Sequence, residues 1–124
     1  MTSGARRILI VDDESSLRQV MTAYLVRLGY EVVACPNADD AWRLLEAGPS
    51  GYSVALVDLN MPGMPGEELA RRILAANKQI RLIMASGYPE DLSEAQAEYG
   101  RRIRFLHKPF APTELAQAVG EALK

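Results

Sequence analysis

One cysteine, Cys35, is all the chain contains, which excludes an internal disulfide and any cysteine-based metal site. There is no excess of basic charge. Fourteen lysines and arginines stand against sixteen acids, a net charge of −2, so the electrostatic footprint expected of a nucleic-acid or anionic-membrane binder is missing. No apolar run approaches the length of a membrane span. The first seven residues, Met1-Thr2-Ser3-Gly4-Ala5-Arg6-Arg7, are not followed by the apolar core of a signal peptide. Internal repeats, linkers and low-complexity tracts are absent as well. These gaps predict a soluble cytoplasmic protein with no direct nucleic-acid contact and no membrane insertion. What remains is an ordinary globular balance, 48% hydrophobic and 24% charged over 124 residues. That length suits one domain, 1–124, with residues 1–6 as a natural tail or a cloning remnant.

The apolar residues fall in a repeating pattern. Ile8-Leu9-Ile10-Val11 reads as a buried strand and ends on Asp12-Asp13-Glu14. Ser15 and Ser16 are candidate caps for a helix whose inner stripe is Leu17, Val20, Met21, Tyr24, Leu25 and Leu28, with Gly29 as its stop. A second strand, 31–35, precedes a helix capped by Asn37 and striped by Ala38, Ala41, Leu44 and Leu45. The third strand, Val54-Ala55-Leu56-Val57, delivers Asp58 at its tip, and Pro62 and Gly63 break it at once. A helix over 67–76 buries Leu69, Ile73 and Leu74. The fourth strand, 80–85, ends on Ser86-Gly87. The helix expected over 89–99 has only Leu92, Ala95 and Tyr99 as its stripe, so loose packing is expected there. A fifth strand, 103–106, runs into His107-Lys108-Pro109. Pro112 opens the last helix, whose inner face is Leu115, Ala118, Val119 and Ala122.

Strands alternating with helices predict a parallel sheet covered on both faces. For a small domain this is the flavodoxin-like doubly wound (βα)5 fold, strand order 2-1-3-4-5. Ligands of such sheets bind beyond the carboxyl ends of the strands. Every misplaced polar group of this chain sits there: Asp12 and Asp13 after strand one, Asp58 after strand three, Ser86 after strand four and Lys108 after strand five.

Clustered carboxylates need a positive charge among them. Hard oxygen donors suit magnesium, with manganese as the alternative ion. A glycine-rich phosphate loop does not follow strand one, so acids stand where a nucleotide binder would carry it. With a cation held, Lys108 and Ser86 can cradle a phosphoryl group, and Asp58 is a candidate phosphoryl acceptor. Each residue also has a plainer reading. Asp12 and Asp13 can serve a helix start, Ser86 a turn, and Lys108 a solvated surface. His107 is assigned no catalytic role. Trp42 is expected to be partly exposed, Cys35 to be a small buried hydrophobe, and Met61 and Met64 to be packing residues.

Val11-Asp12-Asp13-Glu14, the run from Val57 to Gly66, Ala85-Ser86-Gly87 and Lys108-Pro109-Phe110 together resemble the receiver domain of bacterial response regulators, over about residues 7–123. The resemblance implies a phosphoacceptor switch of a two-component or phosphorelay system. Asp58 would accept a phosphoryl group from a phosphohistidine on a histidine kinase or a histidine phosphotransfer protein. Asp13 and Asp58 would ligate magnesium, with the backbone carbonyl of Asn60 as a further ligand and Asp12 acting through water. Lys108 would pair with Asp58 at rest and with the phosphoryl group afterwards, while Ser86 would swing in to donate to a phosphoryl oxygen. Phe105 stands at the switch-aromatic position, where tyrosine is commoner, and Gly87 replaces the usual alanine, which should open the pocket. Ser86-Gly87-Tyr88-Pro89 and the run from Phe105 to Phe110 resemble receivers of hybrid histidine kinases. The resemblance also implies a homodimer through the face formed by the 89–99 helix, the fifth strand and the last helix. No DNA-binding readout is expected within these residues.

Two other functions compete. One is a magnesium-dependent phosphohydrolase with an aspartyl-phosphate intermediate, of the haloacid-dehalogenase type. That chemistry calls for an Asp-x-Asp pair after strand one, whereas the run here is Asp12-Asp13-Glu14 and the candidate nucleophile is on strand three. The other is a receiver-shaped scaffold that is never phosphorylated. The complete set of acids, Ser86 and Lys108 argues against it. Self-catalysed phosphorylation and dephosphorylation are expected, without turnover of an independent substrate.

Overall fold

Strands that are apolar at every position have to be covered on both faces, and the chain meets that need with one central sheet between two helical layers. The computed structural model describes residues 6–48, 51–87 and 97–124. Its sheet contains β1 (Arg7–Val11), β2 (Glu31–Cys35), β3 (Val54–Asp58), β4 (Arg81–Ser86) and β5 (Ile103–His107), all parallel, in the order 2-1-3-4-5. The helices bounded within the described residues are α1 (Ser15–Arg27), α2 (Ala38–Ala47), α3 (Gly66–Ala76) and α4 (Pro112–Ala122), with a 3-10 turn at Gly100–Arg102. The expected helix over 89–99 lies mostly outside the described residues; only 97–99 fall within them, and these are helical.

Side chains of a strand alternate between its faces, and the two cores follow that alternation. Leu9, Val11, Ala55, Val57, Leu82 and Met84 pack against Ala41 and Leu45 of α2 and Leu69 and Ile73 of α3. Ile8, Ile10, Leu56, Ile83 and Ala85 pack against Met21 and Leu25 of α1 and Leu115 and Val119 of α4. The chain therefore leaves β1 toward one face and β3 toward the other. Between these neighbouring strands a crevice opens at their carboxyl ends.

Local signals account for three of the helix ends. Asn37 caps α2, its Oδ1 accepting from Asp40 N at 2.8 Å. Gly29 adopts φ +100° just past α1, a conformation open to glycine at little cost, and Tyr30 N returns to Leu25 O at 3.2 Å. Glu114 reaches back to accept from Ala111 N at 2.7 Å at the start of α4.

Two expectations about α1 need correction. Ser15 and Ser16 do not cap it. The N-cap is Glu14, which makes no side-chain cap bond, and the Asp12 carboxylate accepts from Glu14 N at 2.9 Å instead. The inner face is also narrower than the spacing predicts. Met21 and Leu25 are buried, but Val20 and Leu28 are 55% and 51% exposed. A helix laid on a sheet touches it along one narrow line, so flanking apolar residues stay in water. Leu44 of α2 is likewise exposed in part, at 39%. Cys35 is buried, Trp42 is partly buried under the Arg72 guanidinium at 5.7 Å, Met61 is buried, and Met64 packs at the core margin.

Candidate functional site

Backbone pairing brings the strand-end groups together. Asp12 N donates to Cys35 O at 3.1 Å, which carries the β1–β2 pairing one residue past the apolar run. Leu59 N donates to Ala85 O, and Lys108 N donates to Ser86 O, both at 2.8 Å. Asp12, Asp58, Ser86 and Lys108 are thereby held on adjacent strand ends. Gly66, the first residue of α3, lies against the backbone after β3. A Cβ built on it would stand 2.7 Å from Asp58 O.

Asp12 and Asp58 are buried, 3% and 4% exposed, whereas Asp13 is exposed. One carboxylate oxygen from each of the three lies within 4.8 Å of the others. Lys108 Nζ bridges the two buried acids, at 2.9 Å from Asp12 Oδ2 and 3.2 Å from Asp58 Oδ2. The remaining oxygens are used locally: Asp12 Oδ1 accepts from Glu14 N, and Asp58 Oδ1 accepts from Asn60 N, each at 2.9 Å. Burial by itself would push the Lys108 ammonium down. The hydrogen bond and charge of Asp12, and then those of Asp58, outweigh it and raise the group above the ordinary lysine value.

Three carboxylates facing one ammonium leave a formal excess of −2 in a small, partly buried space. A divalent cation cancels that excess, and an all-oxygen donor set with one ligand open to water fits magnesium. The residues present therefore fit the ion that their chemistry predicts.

Ser86 is fully buried, and its hydroxyl donates to Asn60 Oδ1 at 2.7 Å. Gly87, Glu14, Leu17, Lys108, Pro109 and Phe110 line a groove of about 520 Å³ beside the acids. A Cβ on Gly87 would stand 4.0 Å from Lys108 Cβ, an ordinary contact. Alanine would narrow the groove at Lys108 without a clash. Phe105 takes no part in these contacts. It is 37% exposed on β5, with its ring centroid 6.4 Å from that of His107.

Three contributors escaped the sequence reading. Arg18 Nη1 donates to the Asp12 carbonyl at 2.7 Å and so steadies the turn that carries both acids. The Asn60 side chain, and not only its backbone, belongs to the site. Gly66 is present because nothing larger fits against β3. The one available signal was Arg18 on the first turns of the helix after an acidic run, where it can reach back to the preceding loop.

Comparison with known proteins agrees with this geometry. The model of the response regulator receiver domain family matches residues 8–120. Sensor kinase CckA of Brucella abortus is 30% identical over 122 residues, which make up 98% of this chain and 13% of that protein. The transcriptional regulatory protein ResD of Bacillus subtilis is 31% identical over 118 residues, 95% of this chain and 48% of that one. The chain thus spans about half, or less, of the length of these curated relatives. Response regulator protein TrrA of Thermotoga maritima, solved in complex with Mg2+ and BeF, superposes with a TM-score of 0.81 at 29% identity, covering 95% of this chain and 99% of that one. With a sheet in the order 2-1-3-4-5, its acids gathered at the switch point and a family match over nearly its whole length, this chain belongs to the response regulator receiver domains.

Proposed function

We propose that this domain is a phosphoacceptor switch in which Asp58 takes a phosphoryl group from a phosphohistidine on a histidine kinase or a histidine phosphotransfer protein. The observation that carries the reading is the buried Asp58 carboxylate, 3.2 Å from Lys108 Nζ and beside the Asp12 and Asp13 carboxylates. An Asp58 oxygen attacks phosphorus. A P–O bond forms, the P–N bond to the partner's imidazole breaks, and the imidazole nitrogen keeps the electron pair and takes up a proton. Bound at Asp13, Asp58 and the Asn60 carbonyl, with Asp12 acting through water, magnesium or manganese would neutralise charge gathering on the phosphoryl oxygens.

The chain's own groups do the remaining work. Lys108 gives up Asp58 and pairs with a phosphoryl oxygen, keeping Asp12 as its second partner. Ser86 turns its hydroxyl to another phosphoryl oxygen. Drawing Ser86 inward pulls on the end of β4, and Phe105 moves from its exposed position toward the space vacated. The face formed by residues 89–99, β5 and α4 then differs between the two states. That face is also where a homodimer would form. The same groups catalyse phosphorylation and hydrolysis at Asp58 itself, without turnover of an independent substrate. We assign the switch to one domain acting in the cytoplasm. Among the described residues no helix is long and apolar enough to cross a membrane.

Intact-protein mass after incubation with acetyl phosphate and magnesium tests the reading. One added phosphoryl group is expected on the wild type, and none without magnesium or on Asp58→Asn. Because fast hydrolysis can hide the adduct, a beryllofluoride titration accompanies it. Failure to bind beryllofluoride with magnesium present would overturn the switch in favour of an unphosphorylated scaffold. Many turnovers of a small phosphate ester per protein would favour a phosphohydrolase.

A further inference from the structure

Asn60 touches both halves of the switch. Its backbone N–H donates to Asp58 Oδ1 at 2.9 Å, and its side-chain oxygen accepts the Ser86 hydroxyl at 2.7 Å. Ser86 is fully buried, so its hydroxyl proton cannot be handed to bulk water and must be held by the protein. Asn60 is exposed and anchored by its backbone, so its amide can stay in place while Ser86 moves.

A hydroxyl carries one proton. Donated to Asn60 Oδ1, that proton is not available to a phosphoryl oxygen on Asp58. Ser86 closes β4 and its carbonyl accepts from Lys108 N at 2.8 Å, so the hydroxyl changes partner first, by turning about χ1, and the end of β4 follows. The two hydrogen bonds therefore exclude one another. We propose that the Asn60 side chain is a latch that holds Ser86 in the resting state, so that breaking the Ser86–Asn60 bond is part of the cost of activation. The latch lies outside the metal and acceptor set: the contributions of Asn60 to those, its N–H and its carbonyl, are backbone groups that a side-chain substitution keeps. It sets how readily the switch is thrown and leaves unaltered where the phosphoryl group goes.

This inference rests on the phosphoacceptor reading, and beryllofluoride with saturating magnesium is a probe that separates the two. Its affinity would be measured calorimetrically for wild type, Asn60→Ala, Ser86→Ala and the double variant. One neutral hydrogen bond is worth a factor of about two to ten, so Asn60→Ala should bind beryllofluoride about two- to tenfold more tightly than wild type. In the Ser86→Ala background the same substitution should change nothing, because no hydroxyl remains to be released. A merely structural role for Asn60 would not produce that coupling. Equal or weaker binding by Asn60→Ala overturns the latch, as does the same tightening when Ser86 is absent. Wild type that fails to bind beryllofluoride overturns the phosphoacceptor reading, and the latch with it. Urea unfolding of Asn60→Ala should show a loss of stability no larger than that same factor of about two to ten, the mark of one hydrogen bond lost from the resting state.

Discussion

Lys108 Nζ stands closer to Asp12 than to Asp58, at 2.9 and 3.2 Å, so the lysine is shared between two acids and does not belong to one. Sharing has a consequence for exchange of partners. If Lys108 leaves Asp58, it keeps a charged hydrogen bond to Asp12, and its ammonium is never stripped of a partner in a site where its side chain is only 19% exposed.

Replacing Lys108 by Met should move two affinities in opposite directions. The three acids lose the ammonium that competes with a cation for them, so magnesium should bind about tenfold more tightly, judged by the Coulomb attraction between close charges discounted for solvent. Beryllofluoride should bind more weakly, since the ammonium that would face it is gone. Without magnesium the variant should unfold about 3 kcal/mol more readily, the typical cost of leaving buried carboxylates unpaired. Added magnesium should therefore raise its melting temperature more than that of wild type. A variant with unchanged magnesium affinity would mean that Lys108 and the ion do not compete.

The Lys108 shift also fixes a pH window. Its ammonium is held above the ordinary lysine value, because Asp12 and Asp58 together outweigh the burial that opposes them. A group whose folded value is raised stabilises fully below its unfolded value, about 10.4 for lysine, and loses that contribution as pH rises through the folded value. The stability difference between wild type and Lys108→Met should accordingly be flat from pH 7 to about pH 10 and shrink above it. Taking the difference removes the alkaline titration of other groups, including Tyr52, which burial pushes up despite the opposing charge of Arg7. Urea unfolding across this range measures it. A difference that falls between pH 7 and 9 would contradict the arrangement.

The strand-end rule found Asp12, Asp13, Asp58, Ser86 and Lys108 because each lies within two residues of the end of an apolar run, a signal that is local in sequence. Strand order followed from alternation and from the small domain size. Contacts that depend on where two backbones meet were out of reach. The Ser86–Asn60 bond joins residues 26 apart, and the partition of Lys108 between Asp12 and Asp58 turns on a few tenths of an ångström. The width of the buried stripe on α1 was overread for a related reason. Spacing shows which residues can share a face, whereas the sheet decides how much of that face it covers, and Val20 and Leu28 lie beyond it.

Gly66 ties the start of α3 to the acceptor strand. An added Cβ would sit 2.7 Å from Asp58 O and 2.9 Å from Leu59 Cα, and both are backbone atoms that cannot swing aside. Gly66→Ala should therefore cost about 1–3 kcal/mol, in line with overpacking elsewhere. It should also weaken beryllofluoride binding, because relief of the clash displaces the chain that carries Asp58. A helix-interior glycine would instead gain stability on the same substitution. Chemical unfolding together with beryllofluoride titration of this variant distinguishes the two cases.

Arg102 does its work at the far end of the sheet. Its guanidinium donates to the carbonyls of Leu74 and Ile80, each at 3.4 Å, and to that of Asn77. Leu74 O is among the last carbonyls of α3, which have no partner within the helix. One planar group with donors on several edges thus closes α3, the following turn and the start of β4 against the segment that leads into β5. Arg102→Met should remove about 2–3 kcal/mol of stability, the range for charged hydrogen bonds to buried acceptors. Arg102→Lys should recover only part of it, since a single ammonium cannot reach three carbonyls. Arg102 precedes β5 and Lys108 follows it, a separation of about 20 Å along an extended strand. Beryllofluoride affinity should therefore be the same in wild type and both variants at temperatures where all are folded. A change in affinity would mean that strain at the amino end of β5 is transmitted along the strand to the phosphoacceptor edge.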